Sequence, residues 1–260
     1  MTDIVTTRRE GAILEVTLDR PKANAIEWTT SKLMGEAFKA FRDDPKLRVA
    51  ILKTAGDKFF CAGWDLKAAA AGNDRPSDCG VGGFGGIQEL RDLNKPVIAC
   101  VNGMAVGGGF ELALSCDLIY ASDQSSFALL EARAGVFADA ASIKLPKRMP
   151  YHIAMDLLLT GRWMDANEAH RWGVVNEVLP HEKLEQRVWE IAKLLGSGPP
   201  LVFAALKETV RAAETLSFQD AMNRVARRQF ATVDVLYSSE DRLEGQRAFA
   251  EKRDPVWKGR

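Results

Sequence analysis

An α/β core followed by a helical C-terminal third is predicted by three observations. Short apolar, β-branched runs alternate with segments of helical period through the first half of the chain, the pattern of strands buried beneath helices. Two of those runs lead through glycine-containing loops into new helix starts. Beyond Pro180 the periodicity is helical throughout.

Taken in order, Ala12–Leu18 alternates Ile13, Leu14, Val16 and Leu18 and stops at Asp19-Arg20-Pro21; it reads as a first strand ended by a turn. Thr29–Arg42 sets Leu33, Met34, Ala37, Phe38 and Phe41 at helical spacing behind Ser and Thr caps, an amphipathic helix. Val49–Lys53 and Val97–Val101 suit buried strands. Between them, Ala68–Gly86 is rich in Gly, Ala, Asp, Asn and Pro and reads as a mobile loop. It contains Gly80-Val81-Gly82-Gly83-Phe84-Gly85, a literal GxGxxG. A phosphate-binding turn of that type follows a strand, whereas this one follows Asn-Asp-Arg-Pro-Ser-Asp, so no nucleotide site is expected. Helices are expected over His181–Leu195, Leu201–Thr215 and Phe218–Thr232. A last one covers Ser239–Lys252, where a Ser cap, an acidic first turn and a basic end suit the helix dipole.

The 260 residues are 47% apolar and 27% charged, with 35 Lys and Arg balanced by 35 Asp and Glu. A chain of this length buries roughly 70–75% of its unfolded surface and needs neither disulfides nor metal to hold a core. The charge balance removes the cationic face with which proteins grip nucleic acid, so no such partner is expected. In the Lys32–Arg48 region, Glu36, Asp43 and Asp44 interleave with the cations, a solvated mixed face. Cys61, Cys79, Cys100 and Cys116 form no CxxC pair and lie far from the three histidines. That spacing predicts no metal site and a reducing, cytoplasmic compartment. Met1–Glu10 lacks the apolar region of a signal peptide, and no apolar run approaches the ~18 residues of a membrane span, so no membrane partner is expected.

Three segments carry candidate chemistry. In Val97–Leu114 a buried strand runs into Gly107-Gly108-Gly109 and then a helix, leaving backbone N–H groups to face a developing oxyanion. Glu111 falls in that helix's first turn, where dipole complementarity alone would explain a carboxylate. Lys58–Leu66 repeats the strand, small-residue loop and helix start; it offers a second N–H, or simply a helix capped by Asp65. Phe127–Gly135 puts Glu131 after another short strand, where on its own it reads as a surface acid.

Together these segments resemble the enoyl-CoA hydratase/isomerase (crotonase) superfamily. The resemblance covers Asp19-Arg-Pro-Lys-Ala-Asn-Ala25, Phe60-Cys-Ala-Gly-Trp-Asp65, Val101-Asn-Gly-Met-Ala-Val-Gly-Gly-Gly-Phe-Glu111, the Glu131 segment, Leu159-Thr-Gly-Arg162, Ala166-Asn-Glu-Ala169, Trp172-Gly-Val-Val-Asn176 and Ala248–Arg253, in order. Within it, Trp64–Ala69 and the tail Ala248–Arg260 are most similar to the carnitinyl-CoA dehydratase branch.

The resemblance implies a crotonase fold of repeated β-β-α turns, with residues 1–195 as core and acyl-CoA site. Residues 196–260 would form a helical region that builds a homotrimer or a dimer of trimers. It implies reversible hydration of a short acyl-CoA thioester, from carnitinyl-CoA to crotonobetainyl-CoA and water in the narrower match. No tightly bound cofactor is expected, coenzyme A being part of the substrate. The N–H groups of Ala62 and Gly108 match the oxyanion hole; Glu131 matches the carboxylate that exchanges the α-proton, and Glu111 the one that handles water. Lys22, Ala23, Ala25, Ala62, Asp65, Leu66, Phe249 and Lys252 match coenzyme A contacts, with Arg20 near the phosphates. Trp64 and Asp139 fall at the acyl pocket, where Trp64 either packs or faces a trimethylammonium group. The sequence departs from the family at Leu130 and Ala138, where Pro is common, and at Ala141-Ser142, where Gly-Gly is common. Asp139 lies where dienoyl-CoA isomerases carry Asp, which keeps a double-bond isomerase as the alternative; a non-catalytic crotonase-fold binding protein is the alternative of another class.

Overall fold

The structure, a computed structural model, describes residues 3–68 and 78–260. In chain order the elements are β1 (Val5–Glu10), β2 (Ile13–Leu18), α1 (Trp28–Asp43), β3 (Val49–Thr54), β4 (Phe59–Cys61), α2 (Leu66–Ala68), β5 (Val97–Val101), β6 (Met104–Val106), α3 (Gly108–Leu114), β7 (Leu118–Ser122), β8 (Ser126–Ala128), α4 (Glu131–Ala134), α5 (Asp139–Lys144) and α6 (Tyr151–Thr160). They continue with β9 (Trp163–Asp165), α7 (Ala166–Arg171), β10 (Glu177–Leu179), α8 (His181–Ser197), α9 (Pro200–Ala213), α10 (Phe218–Ala226), α11 (Ala231–Tyr237) and α12 (Glu240–Glu251).

Two sheets organise the body, one of order β1-β2-β3-β5-β7-β10 and one of order β4-β6-β8-β9. The strands β2, β3, β5, β7 and β10 run parallel, as do β4, β6 and β8, while β1 and β9 close onto their sheets antiparallel. Three successive units, β3-β4-α2, β5-β6-α3 and β7-β8-α4, therefore each place one strand in either sheet and then a helix. This is the expected β-β-α repeat, and it sets the ends of β4, β6 and β8 side by side. The functional loops follow those three ends.

Strand periodicity decides which face each side chain takes. Val97, Ala99 and Val101 of β5 join the main core, together with Phe38, Phe41, Phe60, Phe110 and Phe127. The intervening Ile98 and Cys100 join a second layer, closed by Leu184, Val188 and Ala192 of α8. Those three residues recur every four positions, one stripe of a helix. The expected boundary at 195/196 falls in the last turn of α8. Beyond it, Lys207 of α9 donates to the Lys95 carbonyl at 2.7 Å and to Asp117 at 2.6 Å, fastening the C-terminal helices to the body. Ala205, Phe230 and Val233 form their small core.

Three sequence expectations need correction. β1 precedes the expected first strand and is exposed along most of its length, so it shows no apolar alternation. The helix expected over Phe218–Thr232 is two helices, because the chain between them takes a left-handed turn at Arg228, φ 52°. The expected mobile loop 68–86 lies partly outside the described residues, at 69–77, but its far end is packed. Gly82, Gly85 and Gly86 are buried around a short 3-10 turn, Phe84–Gly86, laid on α1. A Cβ on Gly86 would come within 2.8 Å of the Gly35 Cα, and one on Gly85 within 2.7 Å of Leu112 Cδ1. The glycine run is a close approach of backbone to helix.

Candidate active site

The three loops after β4, β6 and β8 meet at Gly107-Gly108-Gly109. Gly107 turns the chain with φ 56° and donates its N–H to the Ala128 carbonyl at 2.8 Å, tying the β6 loop to β8. The Gly108 N–H opens α3, where an α-helix has no internal acceptor, and it has none among the described residues. Gly63, with φ 84°, lies directly against it: a Cβ there would be 2.8 Å from the Gly108 nitrogen and 2.7 Å from the Val106 carbonyl oxygen. A Cβ on Gly109 would overlap the Cys61 carbonyl group, 2.7 Å from its carbon. Both contacts require glycine, and together they clamp the β4 loop onto the start of α3.

The clamp corrects one expected donor. The Ala62 N–H is spent on the Ala23 carbonyl at 3.0 Å, and the Gly63 N–H faces Cys61 Sγ at 3.3 Å. Ile26 bonds this loop on either side of Trp64, donating to the Gly63 carbonyl at 2.7 Å and accepting from the Asp65 N–H at 2.9 Å, and the Trp64 N–H has no acceptor among the described residues. Beside Gly108, the donor this loop has left to offer is therefore Trp64.

Both glutamates come to this turn. Glu111 is only 5% exposed, and its Oε1 accepts the Ala141 N–H of α5 at 2.8 Å; it is a cross-element contact, more than complement to a dipole. Glu131 opens α4 half-buried, with one oxygen against Gly107 and Oε2 buried without a hydrogen-bond partner among the described residues. A buried carboxylate oxygen left unpaired is rare in a structural role. Burial pushes the Glu111 carboxyl up to about 7, with the neighbouring charges of Asp139 and Glu131 adding to the rise. Burial raises Glu131 as well, again with Asp139 adding. Ala138 and Ala141 are buried at the start of α5, where the Ala141 N–H makes the bond to Glu111.

A carboxyl raised on folding binds its proton more tightly in the native state, so Glu111 lowers stability progressively as pH climbs from about 4.5 through about 7. The full cost, on the order of 3 kcal/mol, applies above that range. Glu111→Gln keeps an acceptor for Ala141, so it is expected to unfold at a higher temperature than the unsubstituted protein at pH 8 and at the same temperature near pH 4.5. Thermal melts at the two pH values test this, and a pH-independent difference would contradict it.

Two groups at the site went unnoticed in the sequence. Phe84 rests its ring on Gly108, where a Cβ would lie 2.6 Å from Phe84 Cζ, and it faces Trp64 with ring centroids 6.0 Å apart. Its signal was a lone aromatic inside the glycine run. Lys144 donates to Ser115 Oγ at 2.7 Å, and that hydroxyl donates to the Glu111 carbonyl at 2.8 Å. Burial holds its ammonium down at about 8.

The expected coenzyme A contacts divide into two groups. Ala23, Ala25, Ala62, Asp65 and Leu66 share one surface with exposed Lys22, through the Ala62–Ala23 bond and the Ile26–Trp64 bridge. Arg20 is paired there with Asp65 at 2.7 Å, which holds the Asp65 carboxyl below its usual range, and it also donates to the Ala25 carbonyl. Asp65 additionally caps α2, accepting from Lys67 and Ala68 at 3.1 Å. Phe249, 87% exposed, and Lys252 belong to α12 and its cap, and they make no hydrogen bond with those loops among the described residues. On α1, the cations Lys32, Lys39 and Arg42 are paired with Asp78, Glu36 and Asp43. Among the described residues no cluster of three or more His, Cys, Asp or Glu could hold a metal, and no helix is long and apolar enough to cross a membrane.

Residues 8–260 match the enoyl-CoA hydratase/isomerase family. The chain is 54% identical over 261 residues to a carnitinyl-CoA dehydratase of Salmonella arizonae, covering 100% of both chains. It is 52% identical over 257 residues to one of Proteus mirabilis, covering 98% of both. Among solved structures, it resembles an enoyl-CoA hydratase from Mycobacterium tuberculosis H37Rv with TM-score 0.89 and 36% identity, over 99% of both chains.

Proposed function

The chain belongs to the enoyl-CoA hydratase/isomerase family and is a hydratase-type lyase acting on acyl-CoA, and from that premise we propose that its substrate pair is carnitinyl-CoA and crotonobetainyl-CoA, interconverted by loss and gain of water. The observation that carries the reaction is the convergence of Glu111 and Glu131, both raised by burial, on the glycine turn that presents the Gly108 N–H. The names of the relatives support the acyl group.

In this reading the thioester carbonyl accepts from the N–H groups of Gly108 and Trp64. Negative charge grows on that oxygen as the α-proton leaves, and each preorganised donor contributes about 2.7–4 kcal/mol to holding it. Glu131 takes the α-proton while Glu111 delivers a proton to the departing β-hydroxyl; hydration reverses both transfers. Lys22, Ala23, Ala25, Ala62, Asp65 and Leu66 line the coenzyme A path, and no other cofactor is called for. Residues 1–195 act as the catalytic core. Residues 196–260 assemble a homotrimer or dimer of trimers, in which Phe249 and Lys252 reach a neighbouring subunit's coenzyme A. Four free thiols suit the cytoplasm.

Purified protein given crotonobetainyl-CoA and crotonyl-CoA in parallel is expected to add water to the first with the higher kcat/KM, read by mass spectrometry. Preference for crotonyl-CoA would overturn the acyl assignment. Migration of the double bond without gain of water would favour isomerase chemistry through Glu131 and Asp139.

A further inference from the structure

A crotonobetainyl chain differs from a plain enoyl chain by a quaternary trimethylammonium. That cation has no N–H to donate, so a protein can hold it only through aromatic faces and negative charge. We propose that Trp64 and Phe84 form the aromatic wall that selects this group, an inference that rests on the carnitinyl reading above.

Both rings are attached to the site's own backbone. Phe84 lies on Gly108, and Trp64 supplies the loop's remaining unbonded N–H, so a carbonyl seated between those two donors lies beside the ring pair. The rings are tilted at 43° with centroids 6.0 Å apart, and both are only partly buried: Phe84 packs in part against the main core, while Trp64 joins none of the core clusters. Elsewhere Lys and Arg side chains lie over Trp28, Trp189 and Tyr237. Among the described residues none lies over Trp64 or Phe84, so this pair has no internal cation. The three carboxylates of Glu111, Glu131 and Asp139 bear on one another next to this turn, and the one ammonium among them, Lys144, is held by Ser115 and acts on Glu111 and Asp139. The glycine run that places Phe84 on Gly108 thereby acquires a purpose: it carries an aromatic ring to the acyl site.

The discriminating probe is a neutral twin of the substrate, 5,5-dimethylhex-2-enoyl-CoA, in which carbon replaces the quaternary nitrogen at almost unchanged shape. The unsubstituted enzyme is expected to favour crotonobetainyl-CoA over the twin in kcat/KM. Trp64→Leu and Phe84→Leu should each shrink that ratio about two- to thirtyfold, mostly through KM, while Trp64→Phe and Phe84→Tyr largely preserve it. Equal losses on both thioesters in the Leu variants would overturn the proposal and leave the rings as packing. If the unsubstituted enzyme hydrates crotonobetainyl-CoA yet does not distinguish it from the twin, the wall fails while the carnitinyl reading stands. Preference for crotonyl-CoA over both would defeat the two together.

Discussion

Glu131→Gln is expected to lower kcat by about 10²- to 10⁴-fold, the range a positioned acid or base supplies, with little change in affinity for the thioester. The amide keeps the shape of the side chain against Gly107 but cannot take a proton from carbon. Oε2 has no hydrogen-bond partner among the described residues, so the substitution breaks no bond there and the protein should fold as before. The measurement is hydration in deuterium oxide: the unsubstituted enzyme delivers solvent deuterium to the α-carbon, and the variant should not. Turnover and α-labelling within threefold of the unsubstituted rates would remove Glu131 from the reaction. The pH profile separates it from Glu111. Hydration needs Glu111 ionised, so its kcat/KM should climb as pH rises through about 7, whereas dehydration needs the protonated form and should decline over the same interval.

Gly109→Ala carries the largest expected effect on the fold. The new Cβ would overlap the Cys61 carbonyl group and lie 2.9 Å from Cys61 Cβ. The obstacle is a strand backbone with no rotamer to change. To make room, α3 must withdraw from the end of β4, taking the Gly108 N–H away from Trp64. Overpacking of this kind costs on the order of 3 kcal/mol or more, and displacing reacting groups by about 1 Å costs about 10²-fold in rate. The variant should therefore melt well below the unsubstituted protein and retain about one per cent of its activity or less. An unshifted melting temperature with full activity would mean that α3 and β4 are not in contact in solution.

Much of this was legible in the sequence because it depended on local pattern. The alternation in β3 and β5 and the helical spacing of α1 and α8 required no tertiary information, and the three functional segments stood out as strand, glycine and carboxylate. What escaped depended on where distant backbone lands. Only the arrival of the Ala23 carbonyl takes the Ala62 N–H out of use and leaves Trp64. The Gly80–Gly86 run reads as loose, since glycine also signals flexibility, but its far end packs against α1. Arg228 gave no sign of a helix break because left-handed turns are usually marked by Gly or Asn. Glu131 reads as a surface acid because only the fold brings its carboxylate against Gly107, more than twenty positions away.

The sheet's outermost strand has a consequence for how molecules meet one another. Among the described residues β1 pairs only with β2, so its other side is a ready template on which a second chain could extend the sheet. That border is guarded by sequence: Arg8, Arg9 and Glu10 occupy consecutive positions on it, and Arg9 reaches across to Asp44. At the opposite border β10 has only three residues and runs directly into Pro180, which has no N–H to offer an incoming strand. Growth by strand addition is blocked at both borders. The same polarity that hides β1 from a hydrophobic reading thus protects this edge of the six-stranded sheet from pairing with another chain.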